Sequence, residues 1–145
     1  MKIGFDISQT GKNKTGTGVF AACLIDELSR LDRENEYILY PTFGEYFWED
    51  RWAETVYKPA AANFSTGLGH RTLREMRDFW RMPPQDFEKQ LGSPDIIHAN
   101  NFYVPRKLEQ SRLVFSLHDL GFLEEPDWTT ETNRVICFDG IFRAS

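Results

Sequence analysis

The sequence has 145 residues, a length that suits one globular domain and is too short for two. Hydrophobic residues make up 41% of the chain and aromatic residues 14%, so the chain can bury a substantial core and should not be intrinsically disordered. The net charge of −5 argues against non-specific binding to nucleic acid, because no overall positive field is present to attract phosphates.

Further features of the sequence bear on its compartment. The first residues form a short strand pattern without the apolar segment of a signal peptide, and no apolar run approaches the ~18 residues that span a bilayer. Cys23 and Cys137 lie in apolar patterns and are predicted to be buried thiols. We therefore expect a cytoplasmic protein, with peripheral contact to the inner face of a membrane as a further expectation.

The first elements predict a strand–helix–strand unit. Residues 2–7 form a short apolar strand, and residues 8–18 form a loop rich in glycine, lysine and hydroxyl side chains. The helix that follows carries an apolar stripe formed by Phe20, Leu24, Leu28 and Leu31. A loop over 32–36 and a strand over 37–40 complete the unit, which implies parallel strands joined by a right-handed crossover.

The rest of the chain continues the alternation of strands and helices. In chain order the predicted elements are a third strand over 54–58, a loop over 60–69, a helix over 70–82, a short helix over 85–91, a strand over 95–99, a strand over 113–117 and a final helix that begins near 129–132 and runs to Ser145. Pro83 and Pro84 end the longer helix because proline lacks the amide donor. The pattern predicts an α/β fold with a Rossmann-like parallel sheet and helices on both faces.

Ligands of such folds bind at the carboxyl edge of the sheet, where the strands end. The polar segments expected there are residues 8–18, 98–103 and 118–122. In the first segment, Gly16, Thr17 and Gly18 precede a helix. Glycine there lets a ligand approach the backbone, and the helix start offers free N–H groups to anionic oxygens. The same residues equally suit a plain tight turn.

The other two segments carry side chains that suit a sugar or a phosphate. His118 and Asp119 end a buried strand, and a histidine at this edge can hydrogen-bond a hydroxyl or a phosphate group. Taken alone, His118 also fits a structural histidine that is held by neighbouring backbone groups. His98 and Asn100 follow the neighbouring strand and can line a sugar site or cap a loop. The histidines and cysteines match no metal-ligand spacing, so no metal is expected.

The helix predicted over 70–82 is basic and amphipathic. Its apolar face, at about 100° per residue, is formed by Leu73, Met76, Phe79 and Trp80. A neighbouring face gathers Arg71, Arg74, Arg77 and Arg81. Such a helix can rest on anionic lipid or grip an acceptor phosphate. The acidic balance of the rest of the chain favours an ordinary surface helix, whose arginines pair with Glu75 and Asp78 one turn away.

In their order and spacing, these segments resemble the N-terminal domain of glycosyltransferase family 4, the group 1 transferases. The matching stretches are M-K-I-G-F-D at 1–6 with T-G-T-G at 15–18, N-E-Y at 35–37, P-D-I-I-H-A at 94–99, and V-F-S-L-H-D-L at 114–120 followed by Pro126. The resemblance covers nearly the whole chain.

The resemblance implies the N-terminal half of a two-domain GT-B enzyme. Residues 1–145 would form a single acceptor-side domain, with the nucleotide-sugar domain and the closing elements of the first sheet lying outside the sequence. Enzymes of this family move a sugar from a donor such as GDP-mannose or a UDP-sugar to a glycan or lipid-linked acceptor, with retention at the anomeric carbon. The nucleotide-sugar is a co-substrate and no other cofactor is implied, and the chain alone is expected to be inactive.

Roles for individual residues follow from the same resemblance. Gly16 and Gly18 would bring backbone against the donor's diphosphate or sugar. His118 would be the catalytic residue, beside the transferring sugar and the acceptor hydroxyl. The further substrate-binding residues would be Thr17, His98, Asn100 and Asp119.

Two other classes of protein remain open. A non-catalytic module could use the same fold to hold a phosphorylated or lipid-linked glycan or a membrane surface, with the arginine helix as its main support. A flavodoxin-like cofactor domain is the other alternative, and flavin absorbance in the purified protein would indicate it.

Overall fold

The computed structural model describes residues 1–44, 56–68, 72–106 and 108–144. In chain order its elements are β1 (Lys2–Asp6), α1 (Gly16–Leu31), β2 (Glu36–Tyr40), β3 (Phe64–Thr66), α2 (Leu73–Arg81), α3 (Phe87–Gln90), β4 (Ile96–Ala99), β5 (Arg112–Phe115), α4 (Gly121–Glu124), a 3-10 turn (Pro126–Trp128) and α5 (Glu131–Ala144). The five strands form one sheet in the order β3-β2-β1-β4-β5, and every neighbouring pair is parallel. The predicted α/β class with a Rossmann-like parallel sheet is confirmed.

Apolar side chains cover both faces of the sheet. Successive residues of a strand point to opposite faces, so Tyr37 and Leu39 of β2 pack on the side of α1, whereas Ile38 and Tyr40 pack on the side of α2 and α3. A parallel strand that is buried on both faces has a nearly continuous apolar sequence. This is why the sequence of β2 is sufficient to predict it.

Helix α1 turns a different face to the sheet from the one that its sequence predicts. The buried positions are Gly18, Ala21, Ile25 and Ser29. In the predicted stripe, Phe20 is 45% exposed and Leu31 is 78% exposed, while Leu24 and Leu28 are partly buried. Gly18 is buried because it packs against the backbone carbonyl of Gln9 in the preceding loop, and Ala21 and Ser29 are small enough to be buried beside Ile25. Hydrophobicity alone does not register such packing of small residues.

The two cysteines differ in exposure. Cys137 on α5 is buried, as predicted. Cys23 is exposed, so the prediction of a buried thiol is wrong there. The cause is the orientation of α1, because Cys23 lies on the opposite side of the helix from the buried Ala21 and Ile25.

The third strand lies later in the chain than predicted. Of the predicted range 54–58, residues 54 and 55 lie outside the described residues, and residues 56–58 form no strand. The strand is Phe64–Thr66, inside the stretch predicted to be a loop. It is a three-residue edge strand with two exposed polar residues, and only Phe64, stacked on Tyr37, packs against the core. So short and polar a strand has no apolar run to reveal it.

The amphipathic helix is confirmed over Leu73–Arg81, while residues 69–71 lie outside the described residues. A capping box begins it. The Thr72 hydroxyl accepts a hydrogen bond from the Glu75 N–H at 3.3 Å, and the Glu75 carboxylate accepts one from the Thr72 N–H at 2.7 Å. The predicted apolar face is the core face, because Met76, Phe79 and Trp80 are buried.

The remaining predicted elements are observed with small shifts at their ends. The strand predicted over 113–117 is observed as Arg112–Phe115, so Ser116 and Leu117 belong to the polar segment that follows it. The final helix is confirmed over Glu131–Ala144. None of the helices that the structure describes is long and apolar enough to cross a membrane.

Candidate functional site

The polar segments that follow β1, β4 and β5 are neighbours at the carboxyl edge of the sheet, as the parallel topology predicts. Asn101 Nδ2 donates a hydrogen bond to the hydroxyl of Ser8 at 3.3 Å, which joins the first segment to the second. His118 Nε2 lies 2.8 Å from the backbone carbonyl oxygen of Asn100, which joins the second segment to the third. The ring of Phe20, near the start of α1, packs edge-on against the His118 imidazole with centroids 5.3 Å apart.

Asn100 is fully buried and connects these segments. Its Nδ2 donates to the backbone carbonyl of Asp6 at 2.9 Å, and its N–H donates to the Asp6 carboxylate at 3.2 Å. Its Oδ1 accepts a hydrogen bond from the Ser116 hydroxyl at 3.2 Å, and its carbonyl oxygen is the one that His118 contacts. Every polar group of Asn100 is therefore engaged. The residue supports the edge of the sheet from inside and presents no free side chain to a ligand.

Asp6 ends β1 and is also fully buried. One carboxylate oxygen accepts hydrogen bonds from the N–H and the hydroxyl of Ser8 at 2.9 and 2.6 Å, and the other accepts the N–H of Asn100. Burial disfavours the charged form and raises the pKa of Asp6 to about 6, while these hydrogen bonds act in the opposite direction. In the sequence, only the position of Asp6 directly after an apolar run could have revealed it.

A second polar pair connects β4 to the segment after β5. His98 Nε2 lies 2.9 Å from Ser116 Oγ. Because the single hydroxyl proton of Ser116 is donated to Asn100, His98 must be the donor in this contact. The His98 ring packs edge-on against Phe5 with centroids 4.8 Å apart. Burial, together with repulsion from His118, lowers the pKa of His98 and so favours its neutral form.

The glycine loop contains two different environments. Gly16, the first residue of α1, has open space where a Cβ would lie, whereas a Cβ on Gly18 would overlap the backbone carbonyl of Gln9. Thr15 precedes the helix and makes no side-chain capping bond, so the cap occupies none of the N–H groups of the first turn, which includes the partly exposed Thr17. The start of α1 is therefore open at Gly16, whereas Gly18 is closely packed against the loop that precedes the helix.

Asp119 serves the local backbone. Its carboxylate accepts a hydrogen bond from the N–H of Gly121 at 3.0 Å and so shapes the turn into α4. The residue is exposed and lies next to His118 in the chain. Its side chain therefore orders the segment that follows His118.

The predicted basic patch lies on another surface. Arg74, Arg77 and Arg81 are exposed on α2, and Arg71 lies outside the described residues. Helix α2 packs on the face of the sheet opposite to α1. Since the apolar side of α2 is part of the core, it is not available for insertion into lipid, and only its charged side faces solvent.

Two surface depressions, of about 410 and 530 Å³, lie away from the carboxyl-edge network. The first is lined by Glu75, Asp78, Phe79, Met82 and Pro84. The second is lined by residues between Pro83 and Ser93 together with Glu109 and Gln110. Neither depression is lined by a residue of the carboxyl-edge network. The candidate site is therefore defined by its hydrogen bonds and not by a cavity.

Within the described ranges, no group of three or more histidine, cysteine, aspartate or glutamate side chains could hold a metal ion. Comparisons of the chain with protein-family models, with curated protein sequences and with solved structures found no match. The class that the structure defines is a Rossmann-like α/β domain with a hydrogen-bonded polar network at the carboxyl edge of its sheet.

Proposed function

We propose that this chain is the acceptor-side domain of a retaining glycosyltransferase that moves a sugar from a GDP- or UDP-linked donor to a glycan or lipid-linked acceptor. Transfer would require a second domain that binds the nucleotide. The observation that supports this best is the environment of His118, whose imidazole is held by Asn100 at the carboxyl edge, beside Phe20 and the start of α1. The family 4 resemblance of residues 1–6, 15–18, 94–99 and 114–120 also supports it, and it is the source of the role given to His118.

The proposed reaction needs no nucleophile from the protein. The bond between the anomeric carbon and the donor diphosphate breaks, and the acceptor oxygen bonds to the same face of that carbon. The acceptor's proton passes to the departing diphosphate, so the protein contributes position and electrostatic stabilisation. Backbone at Gly16 and Thr17 would approach the diphosphate or the sugar, and His118 would hydrogen-bond a hydroxyl beside the reacting carbon.

The division of work between two domains can be tested with the chain as it is. Incubated with GDP-mannose or UDP-glucose and a panel of glycan acceptors, the 145-residue chain should form product no faster than a protein-free control. Calorimetry should show weak donor binding that falls further in His118→Ala and stays unchanged in Asn133→Ala, an exposed position on α5. Sustained turnover by the chain alone would show that no second domain is needed.

A second candidate function rests on the exposed arginines of α2. A non-catalytic module could use Arg74, Arg77 and Arg81 to hold a phosphorylated or lipid-linked glycan or an anionic membrane. Because the apolar side of α2 is buried in the core, such binding would be electrostatic and would weaken steeply with salt.

Vesicle co-sedimentation distinguishes this second candidate from the first. Replacing Arg71, Arg74, Arg77 and Arg81 with glutamine should abolish binding to vesicles that contain phosphatidylglycerol, whereas the same change at Arg30 and Arg33 on and after α1 should not. Equal binding by both variants, or no binding by the unmodified chain, would count against the module.

A further inference from the structure

We propose that His118 contacts its ligand through Nδ1 alone, as a hydrogen-bond acceptor for a neutral hydroxyl group, and that Asn100 and Ser116 are the positioning residues that impose this orientation. The identity of the ligand as a sugar rests on the proposed function. The position of the proton on the imidazole ring does not rest on the proposed function, because it follows from contacts within the chain.

The first step is the contact between His118 and a backbone carbonyl. A carbonyl oxygen only accepts hydrogen bonds, so the 2.8 Å contact with Asn100 requires that Nε2 of His118 carries the proton. A neutral imidazole has a single N–H group. The neutral form of His118 is therefore protonated at Nε2, and its Nδ1 offers a lone pair.

The second step is the rigidity of the group that His118 contacts. The carbonyl belongs to Asn100, which is fully buried and has its N–H and its side-chain amide bound to Asp6. Its Oδ1 accepts the hydroxyl proton of Ser116, and the Ser116 oxygen in turn accepts the Nε2–H of His98. Each of these hydrogen bonds has a defined donor and acceptor, and both histidines donate from Nε2. The neutral form of each ring is therefore the Nε2–H form.

The second ring nitrogen of His118, Nδ1, is available to a ligand. Among the described residues, Nδ1 of His118 has no hydrogen-bond partner, and the ring is only partly buried. It lies against Phe20, which is 45% exposed, near the helix start where Gly16 has open space beside it. A ligand hydroxyl that approaches the start of α1 would find this unoccupied acceptor.

The charge state of the ring changes the chemistry of the contact. A neutral ring accepts a hydrogen bond from a hydroxyl, whereas a protonated ring carries N–H groups at both nitrogens and prefers an anionic oxygen. The contact with the Asn100 carbonyl leaves the lone pair of Nδ1 as the acceptor of the neutral ring. We therefore expect the site to prefer the hydroxyl group of a neutral sugar to inorganic phosphate.

The direct test is a long-range proton–nitrogen correlation spectrum of the imidazole rings in the full 145-residue chain, recorded where the histidines are neutral. We expect His118 and His98 to show the pattern of the Nε2–H form. A predominant Nδ1–H form at His118 would overturn the proposal. This measurement requires no ligand and no variant.

A matched pair of variants tests the positioning residues. Ser116→Ala removes the acceptor of His98 and leaves Asn100 Oδ1 unpaired, so the ring nitrogen shifts of His98 should move toward a mixture of the two neutral forms. The shifts of His118 should move less, because its acceptor is the backbone carbonyl of Asn100, which remains. Ser116→Thr keeps the hydroxyl and should restore them. Unchanged nitrogen shifts in a folded Ser116→Ala variant would contradict the role of Ser116, and if that variant does not fold, the spectrum of the unmodified chain still decides the assignment of the His118 ring.

The ligand is tested by titration with methyl α-mannoside and with inorganic phosphate. We expect the sugar to shift the His118 Nδ1 resonance while the ring is neutral. Inorganic phosphate should shift it less, because the lone pair of Nδ1 accepts a hydrogen bond from a hydroxyl group and is repelled by an anionic oxygen. An Nε2–H ring whose Nδ1 does not respond to the sugar would leave the ring assignment standing and would contradict both the hydroxyl ligand and the binding step of the proposed function.

Discussion

Asn100 donates two hydrogen bonds to Asp6 between the carboxyl ends of β4 and β1, although 94 positions separate the two residues in the chain. The Asn100 N–H donates to the Asp6 carboxylate at 3.2 Å, and the Asn100 Nδ2 donates to the Asp6 carbonyl at 2.9 Å. Both residues are fully buried. The pair fixes the spacing of the two strand ends and, through the Asn100 carbonyl, the position of His118.

Replacing Asn100 with alanine should therefore destabilise the fold. The change leaves the buried Asp6 carbonyl without its donor and the Ser116 hydroxyl without its acceptor, and it opens a small cavity. The expected loss is about 2–4 kcal/mol in the free energy of unfolding, measured by urea denaturation. The exposed Asn133→Ala variant should change it by no more than about 0.5 kcal/mol. Similar losses in both variants would show that Asn100 does not organise this edge.

The buried carboxyl group of Asp6 should make stability depend on pH. Its pKa rises from 3.8 to about 6 on folding, so the folded state binds the proton more tightly than the unfolded state. Stability that this group contributes below pH 4 should therefore decline as the pH rises and be lost above about pH 6.

The comparison that isolates this effect is the difference in unfolding free energy between the unmodified chain and Asp6→Asn, which has no proton to lose. Between pH 4 and pH 7 the unmodified chain should lose roughly 2–3 kcal/mol relative to the variant. A difference that is constant over this range would show that the carboxyl group is not perturbed.

The two glycines at the start of α1 should respond oppositely to alanine. Gly18→Ala would drive a methyl group into the Gln9 carbonyl and should cost about 1–3 kcal/mol. Gly16→Ala meets open space and should be neutral or slightly stabilising, since alanine favours the helix. Denaturation midpoints measure both changes. Equal effects would contradict the loop packing.

The two thiols should differ in reactivity in the folded chain. Cys23 is exposed and should react rapidly with a chromogenic disulfide reagent. Cys137 is buried, and burial, aided by the nearby Asp119, raises its thiol pKa, so it should react only as the chain opens. Cys23→Ser should remove the fast phase alone. Two fast phases in the unmodified protein would show that Cys137 on α5 is exposed, which would contradict the structure.

The parallel sheet could be predicted from the sequence because its central strands are buried on both faces and read as apolar runs. Strand β3 could not, since three partly polar residues at a sheet edge leave no such signal. The orientation of α1 could not be predicted either, because three of its four buried residues, Gly18, Ala21 and Ser29, are small and not strongly hydrophobic.

The candidate site shows the same division. His98, Asn100 and His118 stand out as polar residues after apolar strands, and the structure brings them together. Their partners Asp6 and Ser116 do not stand out, because their significance lies in hydrogen bonds to residues 94 and 16 positions away in the chain. The donor and the acceptor of a hydrogen bond, and hence the position of the proton on an imidazole ring, can be assigned only from the three-dimensional structure.

The central claim is that the carboxyl edge around His118 is the part of a sugar-transfer site that this domain contributes, with weak affinity for a nucleotide-sugar in the absence of the second domain. Its most direct test is a titration of the isotope-labelled chain with GDP-mannose and with UDP-glucose, followed by amide and imidazole resonances. We expect saturable chemical-shift changes at Gly16, Thr17, Phe20 and His118 with at least one donor. The affinity should be lower in His118→Ala, and the amide resonances of the residues that follow Pro84 should not shift. Saturable shifts confined to another surface, or none at this edge with either donor, would contradict it.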